Sequence, residues 1–223
     1  MTLMHIPGET ADHLGVWLPH LKVFLSGDDI YKAFPNLYAI RGTPARDNTN
    51  WVTSLDKILA LEPSIVVPSH SRPIVGEKRV KDTLTIYRDA IQYVHDQTVY
   101  MMNKGMHPED IAQTLRLPPH MRDHPYLRPV YGTVEWSSKG VFSHYMGWFS
   151  GDVTELNPLS RDETAVRMVE LAGGVQQTLA QAQEALDGNV RHCNHTLPPS
   201  RALIITSTLS VSHVFTAPSK LHN

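Results

Sequence analysis

Apolar residues in the first third of the chain come in short runs whose period changes along the way. Gly15-Val16-Trp17-Leu18 and Leu21-Lys22-Val23-Phe24-Leu25 are β-rich runs joined by Pro19-His20, which predicts a hairpin or bent strand pair. Trp51, Leu55, Ile58 and Leu59 recur at helical spacing and predict a helix from about Asn50 to Leu61. Pro63 closes it, because the pyrrolidine ring pushes the residue before it away from helical geometry. Ser64-Ile65-Val66-Val67-Pro68 then reads as a buried strand, too short and too β-branched for a helix. Strand, helix, strand is an α/β layered unit, and crevices for ligands form just past the strand ends of such units.

From about Glu77 the period becomes helical. Leu84, Tyr87, Ile91, Val94 and Thr98 step along one face, with Asp82, Arg88, Asp89 and Gln92 elsewhere. His107-Pro108-Glu109-Asp110 has the form of a helix start, with proline at the first position and acids in the first turn, and Pro118-Pro119 ends that helix. Thr133 to Phe149 carries Trp136, Phe142, Tyr145, Trp148 and Phe149, which fits a further helix with a thick apolar face. Asp162 to Leu186 holds two more helical stretches separated at Gly173-Gly174. Beyond Val190 there is no Asp or Glu, and Leu203, Ile205, Leu209 and Val211 alternate with mostly hydroxyl residues. No partner strand is evident, so residues 190–223 are expected to be a divergent, disordered tail.

Composition narrows the classes. In 223 residues, 20 Lys and Arg face 22 Asp and Glu, a formal charge of -2, which argues against a broad electrostatic footprint for nucleic acid or an anionic membrane. The single cysteine, Cys193, excludes an internal disulfide framework and a cysteine-rich zinc module. The first residues lack the basic start and apolar stretch of a signal peptide, and the run from Ala202 to Phe215 is broken by hydroxyl residues and His213. No membrane span is predicted, and the compartment is expected to be cytoplasmic by default.

The chemistry-bearing residues of the first third are Glu9, Asp28, Asp29 and His70. Glu9 sits in the turn-rich Pro7-Gly8-Glu9-Thr10-Ala11-Asp12, Asp28 follows Leu25-Ser26-Gly27, and His70 follows Val66-Val67-Pro68-Ser69. Carboxylates and a neutral imidazole at one sheet edge are donor types that zinc accepts, at roughly 2.0–2.2 Å. From spacing alone, Glu9 and Asp28 read as turn caps and His70 as an ordinary loop histidine. His95, in a helix, reads as structural, and the His120 and Asp123-His124-Pro125-Tyr126 cluster as a turn. Asn194-His195-Thr196 has the form of a glycosylation triplet but no secretory signal accompanies it.

Several long motifs in register change that reading. Pro7-Gly8-Glu9-Thr10, Trp17-Leu18-Pro19, Gly27-Asp28-Asp29-Ile30-Tyr31-Lys32-Ala33-Phe34-Pro35-Asn36-Leu37-Tyr38-Ala39-Ile40-Arg41-Gly42-Thr43 and Pro68-Ser69-His70-Ser71-Arg72-Pro73 resemble the metallo-β-lactamase-fold alkyl sulfatases. The likeness continues through Tyr87 to Thr98, Leu117-Pro118-Pro119-His120, Tyr131-Gly132-Thr133-Val134 and Gly147-Trp148-Phe149-Ser150-Gly151-Asp152, covering roughly residues 5 to 188. It implies a dinuclear zinc hydrolase of alkyl sulfate esters such as dodecyl sulfate, with Glu9 as a carboxylate ligand of one zinc, Asp28 as the bridging carboxylate and His70 on the second zinc. Asn36 and Arg41 match the positions that bind the sulfate group. Asn36 can equally be a turn residue after Pro35, and a planar guanidinium such as Arg41 offers two parallel, charge-assisted donors to an oxyanion.

The expected fold is α/β, a partial metallo-β-lactamase-like (αββα) layer over residues 1–76, followed by an all-α dimerisation domain over 77–189, which implies a homodimer. The H-x-H-x-D-H block that supplies the family's remaining zinc ligands does not occur in the sequence, and His5 stands alone before Glu9. The chain by itself is therefore expected to bind zinc weakly and not to turn over sulfate esters. The alternative is a non-catalytic dimerisation module derived from such an enzyme. A thiol enzyme built on Cys193 is disfavoured by its position in the diverged tail.

Overall fold

A computed structural model describes residues 1–40 and 42–184. The chain divides into a unit spanning Met1–Leu156 and a second beginning at Asn157. Arg41 and the tail 190–223 lie outside the described residues.

The first unit opens with strands β1 (Thr2–His5), β2 (Leu14–Leu18) and β3 (Val23–Gly27), then helix α1 (Asn48–Ala60), strands β4 (Ile65–Pro68) and β5 (Ile74–Val75), and the 26-residue helix α2 (Glu77–Met102). The strands form one sheet in the order β1-β2-β3-β4-β5, in which only β3 and β4 run parallel. The expected hairpin is β2–β3, turned by a short 3-10 segment at Pro19–Leu21. The parallel pair needs a crossover, and α1 supplies it. Asp47 starts α1 by accepting the backbone N–H groups of Thr49 and Asn50 at 2.9 and 3.0 Å, satisfying donors that a helix start leaves unpaired.

One face of the sheet is buried. Phe24 lies opposite Val66 in register, and with Ile6 and Ile74 they are fully covered, together with Trp51, Leu55 and Ile58 of α1 and Leu84, Tyr87 and Ile91 of α2. Each such side chain contributes about 1.5–3 kcal/mol by leaving water. The other face carries a rung of Leu3, Val16, Leu25 and Val67, paired strand to strand across β1 to β4. Leu3 and Leu25 of that rung are exposed, and Val16 and Val67 are half-buried.

Helices α3 (Pro108–Thr114), α4 (Pro119–Arg122) and α5 (Val134–Met146) complete the unit, with α3 and α2 both packed on α5. Lys139 of α5 donates to Glu109 of α3 at 2.9 Å. Gly140 lets α5 approach closely, since a Cβ there would fall 2.5 Å from the Tyr38 side chain. The second unit contains α6 (Arg161–Leu171), begun by a reciprocal cap between Ser160 and Glu163. Gly173 and Gly174, both with positive φ, separate it from a helix over residues 175–184, at the break the sequence predicts. No helix among the described residues is long and apolar enough to cross a membrane.

Candidate functional site

Strand direction gathers the candidate residues. β1 is antiparallel to β2, and β2 to β3, so β1, β3 and β4 all point the same way. Glu9 follows β1, Asp28 follows β3 and His70 follows β4, which puts all three at the carboxyl edge of the sheet. Because β3 and β4 are neighbours, Asp28 and His70 meet: His70 Nδ1 lies 2.7 Å from Asp28 Oδ1. The hydrogen bond to Asp28, reinforced by its charge, raises the pKa of His70 above the ordinary 6.5. The Ser69 N–H donating to Gly27 O at 2.9 Å ties the two loops below this pair.

β1 lies two strands from β3, roughly 10 Å across the sheet, and the loop after it folds back to shorten that span. The Glu9 N–H donates to Asp29 Oδ1 at 3.0 Å, and Ser54 of α1 donates to Pro7 O at 2.9 Å. Gly8 is required at this crossing: a Cβ would stand 2.6 Å from Asp29 Oδ1 and 2.7 Å from the Trp51 ring. The Glu9 side chain, however, is held by Arg46, whose guanidinium donates both to Glu9 Oε1 and to the backbone carbonyl of Asn36. Arg46 is buried and also lies 5.9 Å from the Trp51 ring centroid. Asn36 is thus joined to Glu9 through one guanidinium, and its own N–H donates to the Tyr31 hydroxyl at 2.7 Å.

Beneath the edge sits Asp29, wholly buried. Its backbone carbonyl accepts Trp51 Nε1 at 2.9 Å, while its Oδ2 has no hydrogen-bond partner. Burial pushes this carboxyl up to about 7, against the opposing pull of the Glu9 N–H and of His13. His13 Nε2 is 3.8 Å from Asp29 Oδ1 and 3.0 Å from Ser26 O. Arg46 and His13 were not singled out in the sequence. A cation one residue before the Asp47 cap and opposite a turn rich in acids was the available signal for Arg46.

A cavity of about 480 Å³ opens beside Glu9 and Arg46, lined also by Thr10, Asp12, Pro44 and Asn50. Its walls are largely apolar, with the Glu9–Arg46 ion pair set into one side. Carboxylate and imidazole suit zinc, but no three His, Cys, Asp or Glu among the described residues are grouped to share one ion. Asp28 and His70 offer two donors, and Glu9 gives its charge to Arg46. This donor set does not close a metal site. His95 is structural in its contacts, bonding Asp96 and the Tyr145 hydroxyl, each at 2.8 Å.

A mostly antiparallel sheet whose one parallel pair ends in a carboxylate and an imidazole, followed by helices, is a partial metallo-β-lactamase-like α/β layer followed by an all-α dimerisation domain. Residues 1–70 match the family model of the metallo-beta-lactamase superfamily, and residues 107–197 match that of alkyl sulfatase dimerisation. The chain is 40% identical over 184 residues to a linear primary-alkylsulfatase of Pseudomonas sp., covering 82% of this chain and 35% of that protein. It is 32% identical over 180 residues to alkyl/aryl-sulfatase BDS1 of Saccharomyces cerevisiae, covering 79% and 28%. Among solved structures, the stereoselective inverting sec-alkylsulfatase Pisa1 from Pseudomonas sp. superposes with a TM-score of 0.79 at 27% identity, covering 83% of this chain and 30% of that one. The chain is similar to the alkyl sulfatases of the metallo-β-lactamase superfamily, a likeness that implies metal binding. It spans about a third of the length of these relatives.

Proposed function

We propose that the protein is an alkyl sulfatase-type hydrolase, of the kind that splits primary alkyl sulfate esters to alcohol and sulfate, and a homodimer, with Glu9, Asp28 and His70 among the ligands of a dinuclear zinc centre that this sequence leaves incomplete. Asn36 and Arg41 would hold the sulfate group, Arg41 by resemblance alone. The observation that carries this reading is the meeting of Asp28 and His70 at 2.7 Å beyond adjacent parallel strands, with the Glu9 backbone tied one residue away at Asp29. The boundaries 1–76 for the catalytic layer and 77–189 for the helical domain belong to the same proposal.

Two donors and an occupied glutamate are too few for a dinuclear centre, and the sequence holds no H-x-H-x-D-H block. The 223-residue chain on its own is therefore proposed to be inactive. Metal analysis after zinc dialysis, together with release of dodecanol from dodecyl sulfate, tests this. Substoichiometric zinc and no alcohol are expected; two tightly held zincs with turnover would overturn it.

A second reading, a non-catalytic dimerisation module, is favoured by the Glu9–Arg46 pair and by Trp136, Tyr145 and Trp148, which are exposed on and just after α5. Zinc content measured alongside sedimentation separates the two. A dimer that takes up no zinc on dialysis supports the module, and a chain that holds zinc tightly or dimerises only with it removes the module.

A further inference from the structure

Sharing no lining residue with Asp28 or His70, a groove of about 450 Å³ runs between the loop after β3, the first turns of α2 and the turn after α4. Lys32, Lys78, Arg79, Asp82, His124 and Tyr126 line it. The walls are firm, because Thr83 and Tyr126 are buried and the Lys32 N–H donates to Ser71 Oγ at 3.0 Å.

The polar inventory is one-sided. Asp82, the one acid in the groove, is occupied by Lys78 Nζ at 2.5 Å. Among the described residues no carboxylate pairs with Lys32 or Arg79. The Arg79 guanidinium stands close enough to the Tyr126 phenol to oppose the rise that burial gives that group. His124 Nδ1 accepts the Tyr126 N–H at 3.3 Å, so the neutral ring carries its proton on Nε2. Burial lowers the pKa of His124 and favours that neutral form. Two cations without a carboxylate partner and a neutral N–H donor, set against one acid that already pairs with Lys78, leave the groove with an excess of donors and positive charge.

We infer that this groove is a binding site for a small tetrahedral oxyanion of the sulfate or phosphate class, held between Arg79 and Lys32 with His124 Nε2 as a further donor. A guanidinium presents two parallel N–H groups to such an ion, and a lysine adds a mobile point charge. The groove shares no residue with Asn36 or Arg41, so it stands whether or not the alkyl sulfatase activity does.

Titration of the isotope-labelled full chain with sodium sulfate, ionic strength being held constant with sodium chloride, tests it by NMR. The expected result is saturable shifts at Lys32, Arg79 and His124. The affinity should fall about tenfold or more in a Lys32→Gln, Arg79→Gln variant, the loss typical of a charged hydrogen bond. It should persist in Arg41→Gln, which disables the other sulfate position. Lys32→Gln alone gives the same comparison if the double variant misfolds. Methyl sulfate and phosphate in parallel titrations identify the ion: tighter sulfate or phosphate marks a free dianion, and tighter methyl sulfate marks the head of an ester. Absence of saturation, shifts unchanged by loss of Lys32 and Arg79, or an affinity lost with Arg41 alone would each overturn the site.

Discussion

Replacing Asp29 by asparagine should remove one large pH-dependent part of the stability. Asp29 is fully buried, with Oδ1 paired to the Glu9 N–H and Oδ2 unpaired, and its carboxyl is pushed from 3.8 to about 7. Between those values the folded chain holds a proton that the unfolded chain has released. Unfolding free energy therefore falls as pH rises from about 4 to about 7 and levels off above, where the buried group is charged in the fold. At about 1.4 kcal/mol per unit, a rise of some three units is worth on the order of 4 kcal/mol. Asparagine keeps the acceptor for Glu9 but puts an unpaired NH₂ where Oδ2 stood, costing about 1–3 kcal/mol. The variant should thus be less stable than wild type near pH 4.5 and more stable near pH 8, by roughly 1–3 kcal/mol there. Urea denaturation of chelator-treated protein, followed by tryptophan fluorescence, measures both curves. Their difference cancels every other titrating group. A difference independent of pH between about 4.5 and 8 would refute the buried-carboxylate reasoning.

The His70 imidazole of chelator-treated protein should titrate above 6.5 in an NMR pH series, and Asp28→Asn should bring it back toward that value; equal midpoints would show that the 2.7 Å contact does not form in solution. Arg46→Met leaves half-buried Glu9 without its cation and should cost up to about 3 kcal/mol in a denaturant melt. Arg46→Lys should not restore it, because one ammonium cannot hold both Glu9 and the Asn36 carbonyl with the same fork; full rescue by lysine would mean that charge alone matters. Gly27, at φ 57, has no room for a Cβ, which would stand 2.4 Å from His13 Nε2. Gly27→Ala should lose more than about 1 kcal/mol, and His13→Ala should return only the steric part; complete recovery would leave backbone strain without a role.

Periodic burial made much of the fold legible. Trp51, Leu55 and Ile58 marked α1, and the face of Leu84, Tyr87 and Ile91 marked α2, because those residues fill one core. The β-branched Ile65-Val66-Val67 run could only be a strand. β1 and β5 escaped notice: β1 has just Leu3 and Met4 as apolar residues, and β5 is two residues long, so neighbours rather than propensity hold them in the sheet. The edge position of Asp28 and His70 was legible because both follow apolar runs. The Glu9–Arg46 pair was not, since 37 residues separate its members and charge spacing says nothing about long-range pairing. Asp29 was visible as an acid beside Asp28, but its burial depends on Trp51 and Gly8 closing over it.

The rung of Leu3, Val16, Leu25 and Val67 leaves hydrocarbon facing water on the outer side of the sheet. Exposed hydrocarbon of this kind is the sort of surface to which long-tailed amphiphiles adsorb, independently of the carboxyl edge. Binding curves taken with dodecyl chains would then mix wetting of this surface with capture of the sulfate head, and esters with short tails would report the head alone.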